Sequence, residues 1–116
     1  MGKLTTHVLD TARGQPAAGV AWSLNRSDAP ETVLNSGITN SDGRVDGPIL
    51  EGSAFTCGTY ELRFSVGDYF RQQDALLESP AFLDVVVIRF GISASDEHYH
   101  VPLLVSPFGY STYRGS

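Results

Sequence analysis

The chain has 116 residues, a formal net charge of -5 and 18% charged side chains. That length supports one domain (residues 1–116) with its own core, while the composition excludes disorder, and no cluster of Lys and Arg marks a nucleic-acid footprint. The single cysteine, Cys57, excludes an intramolecular disulfide and a cysteine-based zinc knuckle. Residues 4–10 alternate Leu4, Thr6 and Val8 against Thr5, His7 and Leu9, which predicts a first strand whose histidine lies off the core face. The chain enters this strand without a hydrophobic leader, and no segment is apolar enough to span a bilayer. The expectation is a soluble, unexported, cytoplasmic protein with no membrane partner.

After a loop at residues 11–16, Val20, Trp22 and Leu24 share one side of a second strand, with Trp22 as its core anchor. Residues 32–39 read as a weaker edge strand interrupted by Gly37. Asn40-Ser41-Asp42-Gly43 is the clearest turn, its Asp-Gly pair favouring a tight hairpin, so that Arg44 becomes the first residue of a returning strand. Residues 46–57, rich in glycine and small residues and containing Pro48, predict a connection with little regular structure. Residues 59–66 form a strong strand with Tyr60, Leu62, Phe64 and Val66 inward and Thr59, Glu61, Arg63 and Ser65 outward.

Asp68 is a reasonable N-cap for one short helix over residues 69–77, which ends before Pro80. Residues 82–90 are rich in Val and Ile and predict a buried strand, with residues 91–96 as the following loop. From His98 to Val105 the chain alternates again: Tyr99, Val101, Leu103 and Val105 make an apolar face, and His98, His100, Pro102 and Leu104 the other. A turn at residues 106–109 leads to an extended run, residues 110–113, and to Arg114, Gly115 and Ser116. Seven or eight short strands and one helix make this an all-β chain, folded as a two-sheet Greek-key sandwich.

Each candidate for chemistry also has a bland reading, since isolated polar residues on strands are usually solvent-facing. The combination of His7, His98 and His100 with Arg44 carries more weight. Imidazole exchanges protons near neutral pH, and a guanidinium holds a carbonyl oxygen or an oxyanion with paired donors. His98 and His100 face the same way and could join His7 as zinc ligands, but there is no HExxH helix and no cysteine partner, so no tightly bound catalytic zinc is expected. A phosphate-binding glycine loop and a GxSxG elbow are both missing. Cys57 has no local basic activator and reads as a structural thiol.

Thr6-His7-Val8-Leu9-Asp10 with Gly14, Pro16 and Ala17, Ser41-Asp42-Gly43-Arg44, Gly67-Asp68-Tyr69-Phe70, His98-Tyr99-His100-Val101-Pro102-Leu103-Leu104, and the closing Tyr110-Ser111-Thr112-Tyr113-Arg114-Gly115-Ser116 carry a resemblance that spans nearly the whole chain. It resembles the transthyretin-like 5-hydroxyisourate hydrolases of urate breakdown. The terminal Tyr-Arg-Gly-Ser is the most specific part, because transthyretin itself, a hormone carrier of this fold, ends differently and lacks the histidines. The resemblance implies a transthyretin-like sandwich assembled as a homotetramer, with active sites where dimers meet. It implies cofactor-free hydrolysis of the cyclic amide of 5-hydroxyisourate to 2-oxo-4-hydroxy-4-carboxy-5-ureidoimidazoline. By the same resemblance, His7, Arg44 and Tyr113 contact the substrate and His100, Arg114 and Ser116 complete the pocket. His7, Arg44 and His100 are then the catalytic set, with His98 at the rim. A carrier of the same fold and a purely structural module are the rival classes, and fold alone does not separate them.

Overall fold

The structure is a computed structural model that describes residues 2–73 and 77–115. Among these residues nine strands follow one another as β1 (Lys3–Asp10), β2 (Gln15–Pro16), β3 (Ala21–Arg26), β4 (Asn35–Ile38), β5 (Leu50–Glu51), β6 (Gly58–Phe64), β7 (Val86–Ile92), β8 (Tyr99–Ser106) and β9 (Gly109–Thr112), with one helix, α1 (Val66–Gln72), between β6 and β7. One sheet has the order β2-β1-β8-β9 with β5 also paired to β1, and the other has the order β4-β3-β6-β7. The predicted two-sheet sandwich with a single short helix is what forms. The inward faces supply its core, in which Leu4, Val8, Leu24, Leu62, Phe64, Leu103 and Val105 have no exposed surface.

The pairing that matters most joins the two ends of the sequence. β1 and β8 run parallel from Leu4 opposite Tyr99 to Asp10 opposite Val105, with Thr5 opposite His100 and His7 opposite Pro102. Both strands alternate in and out, so one register places Leu4, Thr6 and Val8 in the core beside Tyr99, Val101 and Leu103. Thr5, His7 and His100 are left together on the outer face. The buried hydroxyl of Thr6 donates to the Val101 carbonyl at 2.6 Å, so this polar side chain on the inner face is satisfied.

Several local expectations are corrected. α1 begins at Val66, three residues earlier than predicted, and Asp68 lies in its first turn where the helix dipole favours a carboxylate, rather than at the cap. The cause is tertiary: Val66, Tyr69 and Phe70 are all buried, and the Gly67 amide donates to the Asp84 carbonyl at 2.9 Å. Residues 74–76 of the expected helix lie outside the described residues. The strand expected from residue 82 starts at Val86 and runs on to Ile92, into the expected loop. Phe82 is 73% exposed and packs on Phe108 instead of entering the core.

The stretch from residue 46 to 57 has more structure than its composition implied. It contains β5 and a 3-10 turn at Gly52–Ala54, and it buries Ile49, Leu50 and Phe55. Glu61 does face outward from β6, yet it is buried, because Asn25, Arg63 and Arg89 all donate to its carboxylate and hold its pKa down to about 2. The weak strand β4 is an edge, and Gly37 has a packing reason: a Cβ there would stand 3.0 Å from the Trp22 ring. Trp22 is the predicted core anchor.

Candidate functional site

Arg44 reaches the outer face by a route the sequence did not disclose. The turn forms as predicted, with the Gly43 amide donating to the Asn40 carbonyl at 2.9 Å, but Arg44 does not start a hairpin strand. The turn docks instead on the edge of β1, between its pairings with β2 and β5, and Arg44 bridges His7 in antiparallel fashion. Gly43 makes the docking possible. Its φ is +71°, its carbonyl accepts the Val8 amide at 2.7 Å, and a Cβ would lie 2.4 Å from the Val8 oxygen. The Asn40 side-chain oxygen accepts the amides of Asp42 and Arg44 at 2.9 and 3.1 Å and so fixes the backbone from which Arg44 projects.

The two imidazoles meet across β1 and β8. His7 Nδ1 and His100 Nε2 are 2.7 Å apart, and His100 Nδ1 lies 2.8 Å from Thr5 Oγ1. The ring centroids are 4.8 Å apart at an interplanar angle of 24°. A 2.7 Å approach of two ring nitrogens is incompatible with a face-to-face stack, so the rings are joined edge to edge by one hydrogen bond. Each histidine is half-buried, and burial pushes both pKa values below 6.5. For His7, the His100 ring and then the Arg44 guanidinium add to the effect, and for His100 the guanidinium does. The pair is therefore neutral at neutral pH, with a single proton shared between the facing nitrogens. Among the described residues the Arg44 guanidinium forms no ion pair or hydrogen bond, which leaves its donors available to a ligand.

The tail is ordered against this pair. After β9, the Gly115 amide donates to the His100 carbonyl at 2.8 Å. Tyr113 is exposed and follows the end of β9. The guanidinium of Arg114 lies 3.9 Å over the ring of Tyr99 and donates to the Glu97 carboxylate at 3.0 Å and the His98 carbonyl at 3.1 Å. It is thus not brought together with His7 and His100 in this chain. His98 is exposed just before β8, and its ring makes no hydrogen bond among the described residues. Ser116, expected in the pocket, lies outside the described residues.

Thr5 and Glu97 belong to this constellation and were not singled out from the sequence. The signal for Thr5 was present, since it shares a strand face with His7, but only the parallel register with β8 makes it a neighbour of His100. Among the described residues no three His, Cys, Asp or Glu side chains are grouped to hold a metal. A cavity of about 250 Å3 opens between the sheets near Phe90, Tyr99, Tyr113 and Arg114, but it includes none of His7, Arg44 and His100. His7, Arg44 and His100 stand on an open sheet face, where a second surface would be needed to enclose a ligand.

Comparison with known proteins agrees with this geometry. Residues 4–115 match the model of the HIUase/Transthyretin family. The chain is 60% identical over 116 residues to 5-hydroxyisourate hydrolase 2 of Rhizobium meliloti, covering 99% of this chain and 97% of that protein. Among solved structures, the 5-hydroxyisourate hydrolase of Klebsiella pneumoniae superposes with a TM-score of 0.83 at 34% identity over the full length of both chains. An (S)-allantoin synthase matches with a TM-score of 0.93 at 48% identity, covering 99% of this chain, which spans 44% of that longer one. With the family matched over nearly every residue and the histidine pair, the arginine and the docked tail in place, the chain belongs to the HIUase/transthyretin family.

Proposed function

We propose that the protein hydrolyses 5-hydroxyisourate to 2-oxo-4-hydroxy-4-carboxy-5-ureidoimidazoline. The observation that carries this reading is the hydrogen-bonded His7–His100 pair beside an Arg44 guanidinium that has no partner among the described residues. A carrier of aromatic ligands has no need of two neutral imidazoles that share a proton. In the reaction, Nε2 of His7 takes a proton from a water molecule as its oxygen attacks the ring carbonyl, while Arg44 donates to the oxygen on which charge develops. The proton then goes to the leaving ring nitrogen, so the C–N bond breaks without a free amide anion. Tyr113 lies against the planar ring, and no cofactor takes part.

The open position of the site supports assembly as a homotetramer, in which a second copy covers the outer face and limits the access of water. Ser116, and Arg114 of a covering copy, are the tail groups proposed to approach the substrate there, with His98 at the rim. A cytoplasmic location accompanies this reading; among the described residues no helix is long and apolar enough to cross a membrane.

The test follows the loss of 5-hydroxyisourate absorbance with and without protein, because the compound also decays spontaneously. Catalysis well above the spontaneous rate is expected. A rate equal to the spontaneous one, with saturable binding of aromatic ligands, would favour the carrier.

A further inference from the structure

The hydrogen-bonded chain on the outer face has three members, and the third has no part in the mechanism above. Thr5 Oγ1 lies 2.8 Å from His100 Nδ1, and among the described residues its hydroxyl has no other partner. The contact joins residues 95 positions apart. It exists because the parallel register sets Thr5 opposite His100, two residues before His7 on the same face.

We propose that Thr5 is a positioning residue for the reaction: its hydroxyl ends the chain Thr5–His100–His7 and keeps His100 Nδ1 hydrogen-bonded in both protonation states of the pair. This rests on the hydrolase reading. When His7 Nε2 takes a proton from water, the proton on His7 Nδ1 moves to His100 Nε2, so His7 returns to neutrality and His100 becomes the imidazolium. His100 then carries N–H groups at both nitrogens, and Nδ1–H donates to Thr5 Oγ1. As the proton is delivered to the leaving nitrogen the same steps run backwards, and the pair ends as it began. In the neutral state Nδ1 carries the same proton, because Nε2 then accepts from His7, so an uncharged acceptor serves both states, and the threonine hydroxyl is one. A carboxylate at that position would lock the imidazolium, and a methyl would leave Nδ1 unpaired in a half-buried site.

The surroundings isolate this role. Among the described residues the charged and titratable groups facing His100 are His7 from β1 and Arg44 from the loop docked on β1, while the tail contributes the Gly115 backbone. Thr5→Val exchanges one hydroxyl for one methyl and leaves all of these in place.

The experiment compares wild type, Thr5→Val and Thr5→Ser as full chains, with two readouts. One is kcat and KM on 5-hydroxyisourate; the other is the 15N resonances of the His100 ring followed through a pH titration without substrate. Thr5→Val is expected to lower kcat about tenfold with KM little changed, the loss of one hydrogen bond to a charged group. It is also expected to shift the His100 titration to lower pH. Thr5→Ser should restore both. Folded Thr5→Val with wild-type kcat and an unchanged His100 titration would overturn the proposal, as would a Thr5→Ser variant as impaired as Thr5→Val in both readouts. If wild type shows no hydrolysis while Thr5→Val still displaces the His100 titration, the coupling of Thr5 to His100 stands and the hydrolase reading is what fails.

Discussion

Gly115 lies directly against the imidazole of His100. Besides the hydrogen bond that its amide donates to the His100 carbonyl, the site of its absent side chain is filled, since a Cβ there would stand 2.7 Å from His100 Cδ2 and 3.2 Å from its Cβ. The penultimate residue of the chain is therefore a wall of the candidate site, and the imidazole is confined by His7 at one edge and by the tail beside its ring. Gly115→Ala forces either the tail or the ring to move. The expected result is a fall in kcat/KM of about tenfold or more, since small displacements of catalytic groups are costly. The thermal midpoint should be nearly unchanged, because the tail buries little of the core. Circular dichroism melting alongside kinetics checks both halves.

Glu97 makes a second prediction about the tail. Its carboxylate and the His98 carbonyl hold the guanidinium of Arg114 on the Tyr99 ring, and this clasp sets the direction in which Gly115 approaches His100. Exposed ion pairs contribute only about 0–1 kcal/mol to stability, so Glu97→Ala should melt close to wild type. Its activity should nevertheless fall severalfold, and the tail should become more sensitive to carboxypeptidase. Proteolysis of the two proteins in parallel, followed by mass spectrometry, measures the effect.

The pH dependence has a definite sign. Both folded-state histidine pKa values lie below 6.5, chiefly through burial, so the neutral pair persists to lower pH than free imidazole would. Activity should rise with pH to a plateau already reached near neutrality, with its midpoint below 6.5. In the same window the unfolded chain binds more protons than the folded one, so the stability contributed by the neutral pair is present above 6.5 and lost as pH falls. The urea midpoint of wild type minus that of a His7→Phe, His100→Phe double variant should be constant above pH 6.5 and fall as pH drops below it, because only wild type loses this contribution.

Much of this architecture was legible in the sequence because alternation is a local signal. β1, β6 and β8 bury every second residue, and their patterns named the correct inward faces. Trp22 and the Asn40–Gly43 turn were equally plain, since bulk and φ > 0 chemistry are properties of one or a few residues. What stayed hidden is relational. The parallel pairing of β1 with β8 joins the two ends of the chain, and nothing in either strand states its partner, so the contact of Thr5 with His100 was unreadable. Arg44 was placed on a returning strand because a hairpin is the default after Asp-Gly; the edge of β1 captured the turn instead. Val66 and Gly67 entered the helix for tertiary reasons, through burial and the bond to Asp84. Arg114 entered the site by resemblance to a motif, and the structure shows its guanidinium stacked on Tyr99, a placement that a motif does not encode.

The central claim is that His7 and His100 act as one hydrogen-bonded unit, and a double-mutant cycle tests it most directly. His7→Ala, His100→Ala and the double variant are assayed for 5-hydroxyisourate hydrolysis after folding is confirmed. A shared proton requires both rings, so each single variant should lose most of the activity and the double should be scarcely worse than either. Losses that multiply in the double variant, or near wild-type turnover in a folded single variant, would contradict the account.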